Sequence, residues 1–327
     1  MRATRRQILV LGLLGLVASL GAGCNGTPGG GEGGGRFTNS GKLRVVATYS
    51  ILGDLVKNVA SDEAEVITLV GPDGDAHTFD PSPQDGMTVA NAQVIFENGV
   101  GFETWLDKLY SSSGSQAVRV VVTEGLEFRE GQCNHSHAER EKLGKAHEHE
   151  DDPHVWHDVR NAIHMVEIIR DKLCGLDPNH ADKYRAKAGD YLTKLEALHT
   201  WVEQSVEAIP PDQRKLVTNH DTFGYFADRY GFKIAGTVLA SVSTEAGDPS
   251  AAEFAKLIES VKATKVRAIF AENVHHPKLM ERLATEAGVK LAPPLYSDAL
   301  GQPGTAGDTY EKMVRYNVTT IVDALKP

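Results

Sequence analysis

Short apolar runs alternate with helix-like segments along most of the chain. In the first half, four such runs fall at residues 43–47, 66–70, 94–96 and 118–122. A second set falls at residues 215–218, 232–238, 266–271 and 289–292. Runs of this length suit buried strands, and the stretches between them have helical character. The pattern therefore predicts an α/β fold with parallel sheets and surrounding helices.

One long helix is predicted between the two sets. Apolar or small residues recur every three or four positions within residues 179–209, which marks one buried stripe: Tyr184, Ala188, Tyr191, Leu195, Leu198 and Val202. A shorter helix is predicted at residues 158–173, and Pro210 and Pro211 end the long one. We therefore predict two similar lobes, residues 42–176 and 212–327, joined by a backbone helix within residues 177–211. A polar, histidine-rich loop at residues 124–152 interrupts the first lobe.

The N-terminus has the layout of an export signal. Arg2, Arg5 and Arg6 precede an apolar run at residues 8–20, which is too short to span a bilayer as a stable helix. Twin-arginine and Sec export are both compatible with it. The segment before Cys24 resembles a bacterial lipobox, although Gly21 stands where a large aliphatic residue is usual. We predict a signal peptide (1–23), a lipidated Cys24 and a glycine-rich tether (24–41), with ordinary signal cleavage as the alternative. The protein would then be lipid-anchored to the outer face of the cell membrane, or periplasmic.

Charge and cysteine content narrow the range of partners. Removing the signal lowers the formal net charge from −10 to −13, because residues 1–23 hold three of the 34 basic residues and none of the 44 acidic ones. This balance argues against nucleic acid and favours cations. Besides Cys24 the chain has Cys133 and Cys174, which in an exported protein could form one disulfide. Sequence does not show that they meet.

Three histidines and one aspartate occupy matching places in the predicted topology. His77 follows the strand that ends at residue 70, and His154 opens a helix for which Asp158 is a candidate cap. His220 lies between a strand and a helix, and Asp298 follows the last strand. Ligands gather at the carboxyl ends of strands in open parallel sheets. Three imidazoles and a carboxylate suit Zn²⁺ and are compatible with Mn²⁺ or Fe²⁺, so the sequence predicts a metal site.

The segments around these four residues, with Phe270-Ala271-Glu272-Asn273, resemble the metal-binding solute-binding proteins of bacterial ABC importers for zinc and manganese. The resemblance runs from about residue 43 to residue 326, with the motifs in the family's order and spacing. It implies two lobes with the metal in the cleft between them, bound by His77 and His154 from the first lobe and by His220 and Asp298 from the second. It also implies an ABC permease and its ATPase as partners, and we expect a monomer. The family includes proteins described as adhesins, which leaves a surface role open.

Two further residues are candidates for supporting roles. His157 stands where relatives commonly carry Leu, one helical turn beyond His154, so it is either an alternative ligand or a residue outside the donor set. The second interpretation is favoured. Glu272 follows a strand and suggests a carboxylate that accepts an imidazole N–H and fixes its tautomer. An exposed acid at the strand end is the alternative.

The remaining histidines fall into three groups. His135, His137, His147 and His149 lie in the loop, near Cys133 and several acids that include Asp152. In relatives such loops are thought to collect or sense zinc, and an accessory metal loop and a solvated insertion are both open. A second group on predicted helices is assigned to packing or the surface: His164, His180 and His199. His275 and His276 precede Pro277 and are assigned to capping or the surface.

The donor set favours zinc over manganese. His220 places a nitrogen where manganese-selective relatives usually carry Glu, which favours borderline-soft Zn²⁺. Because zinc binds tightly to nearly any N/O site, manganese stays the alternative. A zinc hydrolase would need an open position for water and a general base, whereas four protein ligands close the shell. We therefore expect no enzyme, with a hydrolase and a surface adhesin holding a structural metal as the other classes.

Overall fold

The computed structural model describes residues 35–38, 40–131, 151–239, 241–245 and 247–327. The predicted signal peptide, Cys24, most of the tether, Cys133 and the four loop histidines lie outside these ranges. Within them, no helix combines the length and apolar character needed to span a membrane.

The first half forms one parallel sheet. Its elements are β1 (Leu43–Tyr49), α1 (Ser50–Ala60), β2 (Ala64–Val70), α2 (Pro83–Asn91), β3 (Val94–Glu97), α3 (Leu106–Ser113) and β4 (Val118–Val121). The strand order is β2-β1-β3-β4, and all three pairings are parallel. Strand β1 is central and buried from Val45 onward, as its continuous apolar run requires of a strand covered on both faces. The predicted strands of this half are confirmed.

Two helices follow residue 151, where the described part of the chain resumes. Helix α4 (Val159–Leu176) begins at Asp158, whose side chain accepts a hydrogen bond from the backbone N–H of Arg160. Helix α5 (Ala181–Val206) is the predicted long helix, shortened by a 3₁₀ turn at Pro178–His180. Its apolar stripe is buried and packs against α1 and α4. Another 3₁₀ turn, Pro211–Gln213, leads into the second half.

The second half differs from the first in its hydrogen bonding. Its elements are β5 (Lys215–Thr218), α6 (Gly224–Tyr230), β6 (Lys233–Thr237), α7 (Ala251–Thr264), β7 (Ala268–Glu272), α8 (Lys278–Ala287), β8 (Lys290–Leu295) and α9 (Tyr310–Leu325). Among the described residues the strands form two parallel pairs, β5-β6 and β7-β8, each with a register shift. Pro293 and Pro294 remove two donors from β8, which suits an edge strand. The halves therefore share the α/β pattern without sharing one sheet design.

One hydrophobic core runs through both halves. It contains Tyr49 and Trp156 from the first half with Leu216, Phe270 and Tyr310 from the second. Helix α9 packs against α1, α5 and β8, so the end of the chain returns to the long helix. The α/β architecture with parallel sheets, joined by one long helix, is confirmed.

Candidate metal centre

The four predicted ligands meet at one buried point. His77 follows β2, His154 precedes the 3₁₀ turn Val155–His157, His220 follows β5 and Asp298 follows β8. All four are at most 3% exposed. The Nε2 atoms of His77 and His154 lie 3.2 Å apart, and those of His154 and His220 lie 3.3 Å apart. Asp298 Oδ2 lies 3.2 Å from His220 Nε2.

These separations fit a tetrahedral cation site. Zinc–nitrogen bonds of about 2.0–2.1 Å place the ligands of a tetrahedron roughly 3.3 Å apart. The remaining contacts of Asp298 are 3.6 Å to His154 Nε2 and 3.7 Å to His77 Nε2. Among the described residues the buried Oδ2 atom has no hydrogen-bond partner, which is costly for a carboxylate oxygen unless a cation binds it. The four donor atoms therefore suit one metal ion.

The loop after β2 holds His77 through its backbone and its ring. The Asp75 carboxylate accepts the backbone N–H of His77 at 2.9 Å. Trp105 Nε1 donates to the carbonyl of Ala76 at 2.8 Å, which fixes the preceding peptide. The His77 ring packs edge-on against Phe102 with centroids 4.6 Å apart. These contacts direct Nε2 toward the other ligands.

The Asp152 carboxylate, itself held by Arg129, positions His154. Asp152 Oδ1 lies 2.7 Å from His154 Nδ1 and also accepts the His154 backbone N–H at 3.0 Å. Its other oxygen accepts from Arg129 at 3.0 Å. Arg129 reaches the second half as well, with Asp221 at 3.5 Å and Asp228 at 3.2 Å. One guanidinium thus connects both halves of the molecule behind the cluster.

Glu272 performs the same task for His220. Its Oε2 lies 2.6 Å from His220 Nδ1, and its Oε1 accepts the His220 backbone N–H at 3.0 Å. An Nδ1–H that donates to a carboxylate leaves the Nε2 lone pair facing the metal position. Glu272 is buried, so the alternative of an exposed acid at the strand end is excluded.

His157 lies outside the donor set and contacts it through Thr222. Its Nε2 is 3.2 Å from Thr222 Oγ1, which donates to Asp298 Oδ1 at 3.2 Å. The ring is buried and stacks at a tilt on Phe223, with centroids 4.3 Å apart. Burial lowers its pKa to about 3, so the imidazole is neutral at physiological pH.

Burial and the carboxylates of Glu272 and Asp298 determine which of the predicted ligands carry a proton in the metal-free protein. Burial lowers the pKa of His77 to about 3, which keeps that ring neutral. Burial also disfavours the His220 imidazolium, but Glu272 and Asp298 outweigh it and raise the pKa of His220 well above its ordinary value. Burial by itself would raise the pKa of Asp298, yet His220 and His154 hold it well below the usual range. The cluster therefore pairs a charged aspartate with a proton that a metal can displace.

Three residues near the site were not recognised from sequence. Asp152 was counted among the loop acids, and its position two residues before His154 was the available signal. Arg129 offered no signal, because its partners are distant in sequence. The assignment of His275 to capping or the surface was wrong: a turn from Glu272 to His275 folds its ring back within 5.3 Å of the His220 ring centroid. Its Nε2 is buried without a hydrogen-bond partner among the described residues.

Other histidines and the remaining cysteine lie outside the cluster. His276 is exposed and its Nδ1 accepts the Lys278 N–H, as a capping residue does. His199 is buried and contacts the Tyr230 hydroxyl at 3.1 Å. Cys174 is half-buried, with Sγ 3.4 Å from the Ala181 carbonyl oxygen. Its predicted partner Cys133 is outside the described residues, so the disulfide stays a prediction.

Comparison with known proteins agrees with this fold. The chain is 32% identical over 316 residues to the manganese-binding lipoprotein MntA of Halalkalibacterium halodurans, covering 95% of this chain and 96% of that protein. It is 34% identical over 290 residues to the zinc-binding protein TroA of Treponema pallidum, covering 87% and 89%. The solved structure of that periplasmic zinc binding protein superposes with a TM-score of 0.77, at 31% identity, over 88% of this chain and all of that one.

A second solved structure extends the comparison to another metal. The Mn-bound periplasmic metal binding protein from Candidatus Liberibacter asiaticus gives a TM-score of 0.75 at 27% identity, over 87% of this chain and all of that one. These likenesses place the chain among the metal-binding substrate-binding proteins of ABC transporters. Residues 45–324 match the model of the family described as zinc-uptake complex component A, periplasmic, and the chain belongs to that family.

Proposed function

We propose that this protein binds one divalent transition metal, Zn²⁺, outside the cytoplasm and delivers it to an ABC-type permease for uptake. The observation that carries this proposal is the meeting of three imidazole nitrogens and one carboxylate oxygen, 3.2–3.3 Å apart along three edges, in a buried site. His77, His154, His220 and Asp298 are the ligands. Asp152 and Glu272 orient two of the imidazoles.

Zinc is favoured over manganese by the chemistry of the donors. Three nitrogens and one oxygen suit a borderline-soft ion, whereas Mn²⁺ prefers carboxylates, carbonyls and water. The three donor separations of 3.2–3.3 Å also match tetrahedral geometry, which zinc adopts in closed sites. Relatives of similar identity carry names for zinc and for manganese, so they support the metal class and leave the choice to the donor set.

The rest of the chain has a place in this function. Residues 1–23 act as the export signal, Cys24 carries the lipid anchor and residues 24–41 tether the domain near the membrane. Residues 42–176 and 212–327 form the lobes on either side of the linking segment 177–211. The mature protein works as a monomer with the permease and its ATPase as partners, and the loop histidines are an accessory to the site.

We favour a binding protein over a metal-dependent hydrolase. Catalytic zinc sites keep one position open for water, whereas four protein donors close the shell. Similar proteins are named as a manganese-binding lipoprotein and as metal or manganese ABC transporter substrate-binding lipoproteins, which supports the same interpretation. Binding and release of the ion are then the whole chemistry of the site.

Elemental analysis of the protein purified from its native envelope tests the proposal directly. We expect zinc at one ion per chain, retained by the exposed-residue control His276→Ala and lost in His77→Ala and His220→Ala. Manganese at the same stoichiometry would correct the metal and leave the site standing. Unchanged metal content in both ligand variants would refute the site.

A further inference from the structure

The ligand set is closed to solvent, so an incoming ion needs a way in. His154, His220 and Asp298 are fully buried and His77 is nearly so. A position that contacts both the ligand set and the solvent would therefore control how fast an ion reaches the site. The turn after β7 supplies such a position.

His275 lies between the ligand set and the solvent. Its side chain is 16% exposed, while its Nε2 atom is buried, has no hydrogen-bond partner among the described residues and lies 3.8 Å from Glu272 Oε2. This separation is too long for a hydrogen bond. One donor atom each from His275, Glu272 and His220 lie within 4.8 Å of one another. Two atoms that can bind a metal thus lie near each other beside His220.

A small cavity lies on the outer side of His275. Its volume is about 260 Å³, and its polar lining residues include Asn219, Asp248, His276 and Lys278. The Asp248 carboxylate is exposed at the rim and attracts cations, whereas the exposed Lys278 ammonium repels them. Asn219 is 4% exposed, and its buried Oδ1 atom has no hydrogen-bond partner in the part of the chain that the structure describes. A carbonyl oxygen left in this state is a ready partner for a cation or its hydration water.

The turn that carries His275 is held firmly on both sides. Asn273 donates to Asp73 Oδ1 at 3.0 Å and to the Ala299 carbonyl at 3.2 Å. Its own Oδ1 accepts the Ser297 N–H at 3.1 Å. Since Ser297 precedes the ligand Asp298, the turn and the ligand loop share one support. These hydrogen bonds fix the turn and therefore the position of His275.

We propose that His275 and Glu272 form an outer capture position, which binds the divalent ion before it passes to the buried ligands. This inference rests on the proposed function and deepens it. His275 Nε2 and a Glu272 oxygen would bind the ion with water completing its shell. The ion then exchanges water for the Nε2 atom of His220 and the other buried donors, while Glu272 keeps its hydrogen bond to His220 Nδ1. Two protein ligands bind more weakly than four, so the ion moves inward.

Stopped-flow zinc uptake by the purified full-length protein tests this position. The fluorescence of Trp156, whose ring centroid lies 5.4 Å from that of His154, reports ion arrival. His275→Ala should slow association several-fold and slow dissociation by the same factor, because an intermediate on the path alters both rates and leaves the equilibrium constant unchanged. His275→Asp, which restores a ligand atom, should recover part of the rate. His276→Ala, on the same turn, is the matched control and should behave as wild type.

The alternative outcomes are distinct. Unchanged association in His275→Ala overturns the capture position, and so does a weaker affinity produced by faster dissociation alone, since that would make His275 a structural support. Equal slowing in His276→Ala also overturns it, because general attraction by surface histidines would then suffice. A wild-type protein that takes up no zinc refutes the proposed function itself. That result differs from unchanged kinetics in His275→Ala, which overturns only the capture position.

Discussion

Two of the predicted ligands, His154 and His220, each have a carboxylate next to the ring nitrogen Nδ1, on the side away from the other ligands. Asp152 stands behind His154 and Glu272 behind His220, at 2.7 and 2.6 Å from the respective Nδ1 atoms. Each carboxylate also accepts the backbone N–H of the histidine that it orients. Ring orientation and backbone position are thereby fixed together, which is the function of partners outside a metal's donor set.

Removing the charge of Glu272 should weaken binding without removing a ligand. We expect Glu272→Gln to lower zinc affinity about 10–100-fold, because the amide is a poorer acceptor for the His220 N–H. Competition titration against a chelator of known affinity measures this. Glu286→Gln, an exposed residue paired with Arg282, is the control. Wild-type affinity in Glu272→Gln would show that His220 needs no orienting carboxylate.

Metal uptake should release a proton from His220. The pKa of His220 is raised well above 6.5 in the metal-free protein, because Glu272 and Asp298 outweigh the effect of burial. Its Nε2–H must leave when an ion binds, so affinity should rise with pH up to that pKa. Calorimetry in buffers of different ionisation enthalpy should give about one proton per ion near neutral pH. Binding that is independent of buffer would contradict this.

The same shift sets the pH dependence of the metal-free fold. A raised folded pKa means that His220 contributes stability that is fully present below its unfolded value of 6.5 and is lost as pH rises through the folded pKa. Asp298, whose folded pKa is lowered, contributes stability that is present above 3.8 and is lost as pH falls. Both contributions therefore operate together between these two limits.

At the scale of elements, Arg129 joins the segment after β4 to helix α6. Its guanidinium contacts Asp152 in the first half and Asp221 and Asp228 in the second. Gly224 begins α6 directly against this guanidinium, and a Cβ there would overlap it. Tyr225 completes the junction, since its hydroxyl donates to the Asp152 carbonyl at 2.8 Å.

Breaking this junction should cost both stability and affinity. Arg129→Ala leaves buried Asp152 without its cationic partner, so we expect a loss of about 3 kcal/mol in the free energy of unfolding. Zinc affinity should fall too, because Asp152 orients His154. Gly224→Ala should act in the same direction by displacing the guanidinium. Thermal unfolding and zinc titration measure the effects, with the exposed Arg185→Ala as control. Wild-type values in both variants would rule out a supporting role.

Sequence could predict which four residues meet in the cluster, whereas the residues that hold them in place depended on packing. His77, His154, His220 and Asp298 each follow a strand or open a helix, and a parallel sheet brings such positions to one edge. Arg129 and Asp152 are 23 positions apart in the chain and meet through a backbone hydrogen bond that no periodicity reveals. The separation of the second half into two strand pairs could not be predicted from the sequence either. The register shifts in β5-β6 and β7-β8 depend on tertiary contacts.

At the scale of the whole molecule, the halves are joined by more than the long helix. Trp156 Nε1 donates to the Ser297 carbonyl at 3.0 Å, and the Tyr310 hydroxyl donates to the Trp156 carbonyl at 2.7 Å. The Leu300 N–H donates to Ser50 Oγ at 2.9 Å. These bonds lie in a core that residues of both halves build together. Wide opening would expose this shared apolar surface to water.

Metal binding should therefore change the overall shape little. We expect solution scattering of the metal-free and zinc-loaded forms to give nearly equal radii of gyration, because α5 and the shared core resist rotation of one half against the other. Hydrogen exchange should slow mainly in the loops that carry His220 and Asp298, because the bound ion would hold their buried side chains together. The Asp298→Ala variant, which lacks a ligand, should show neither protection nor a change in radius. A clear compaction on loading would instead require the halves to move as separate bodies, and the core that they share would then have to open in the metal-free state.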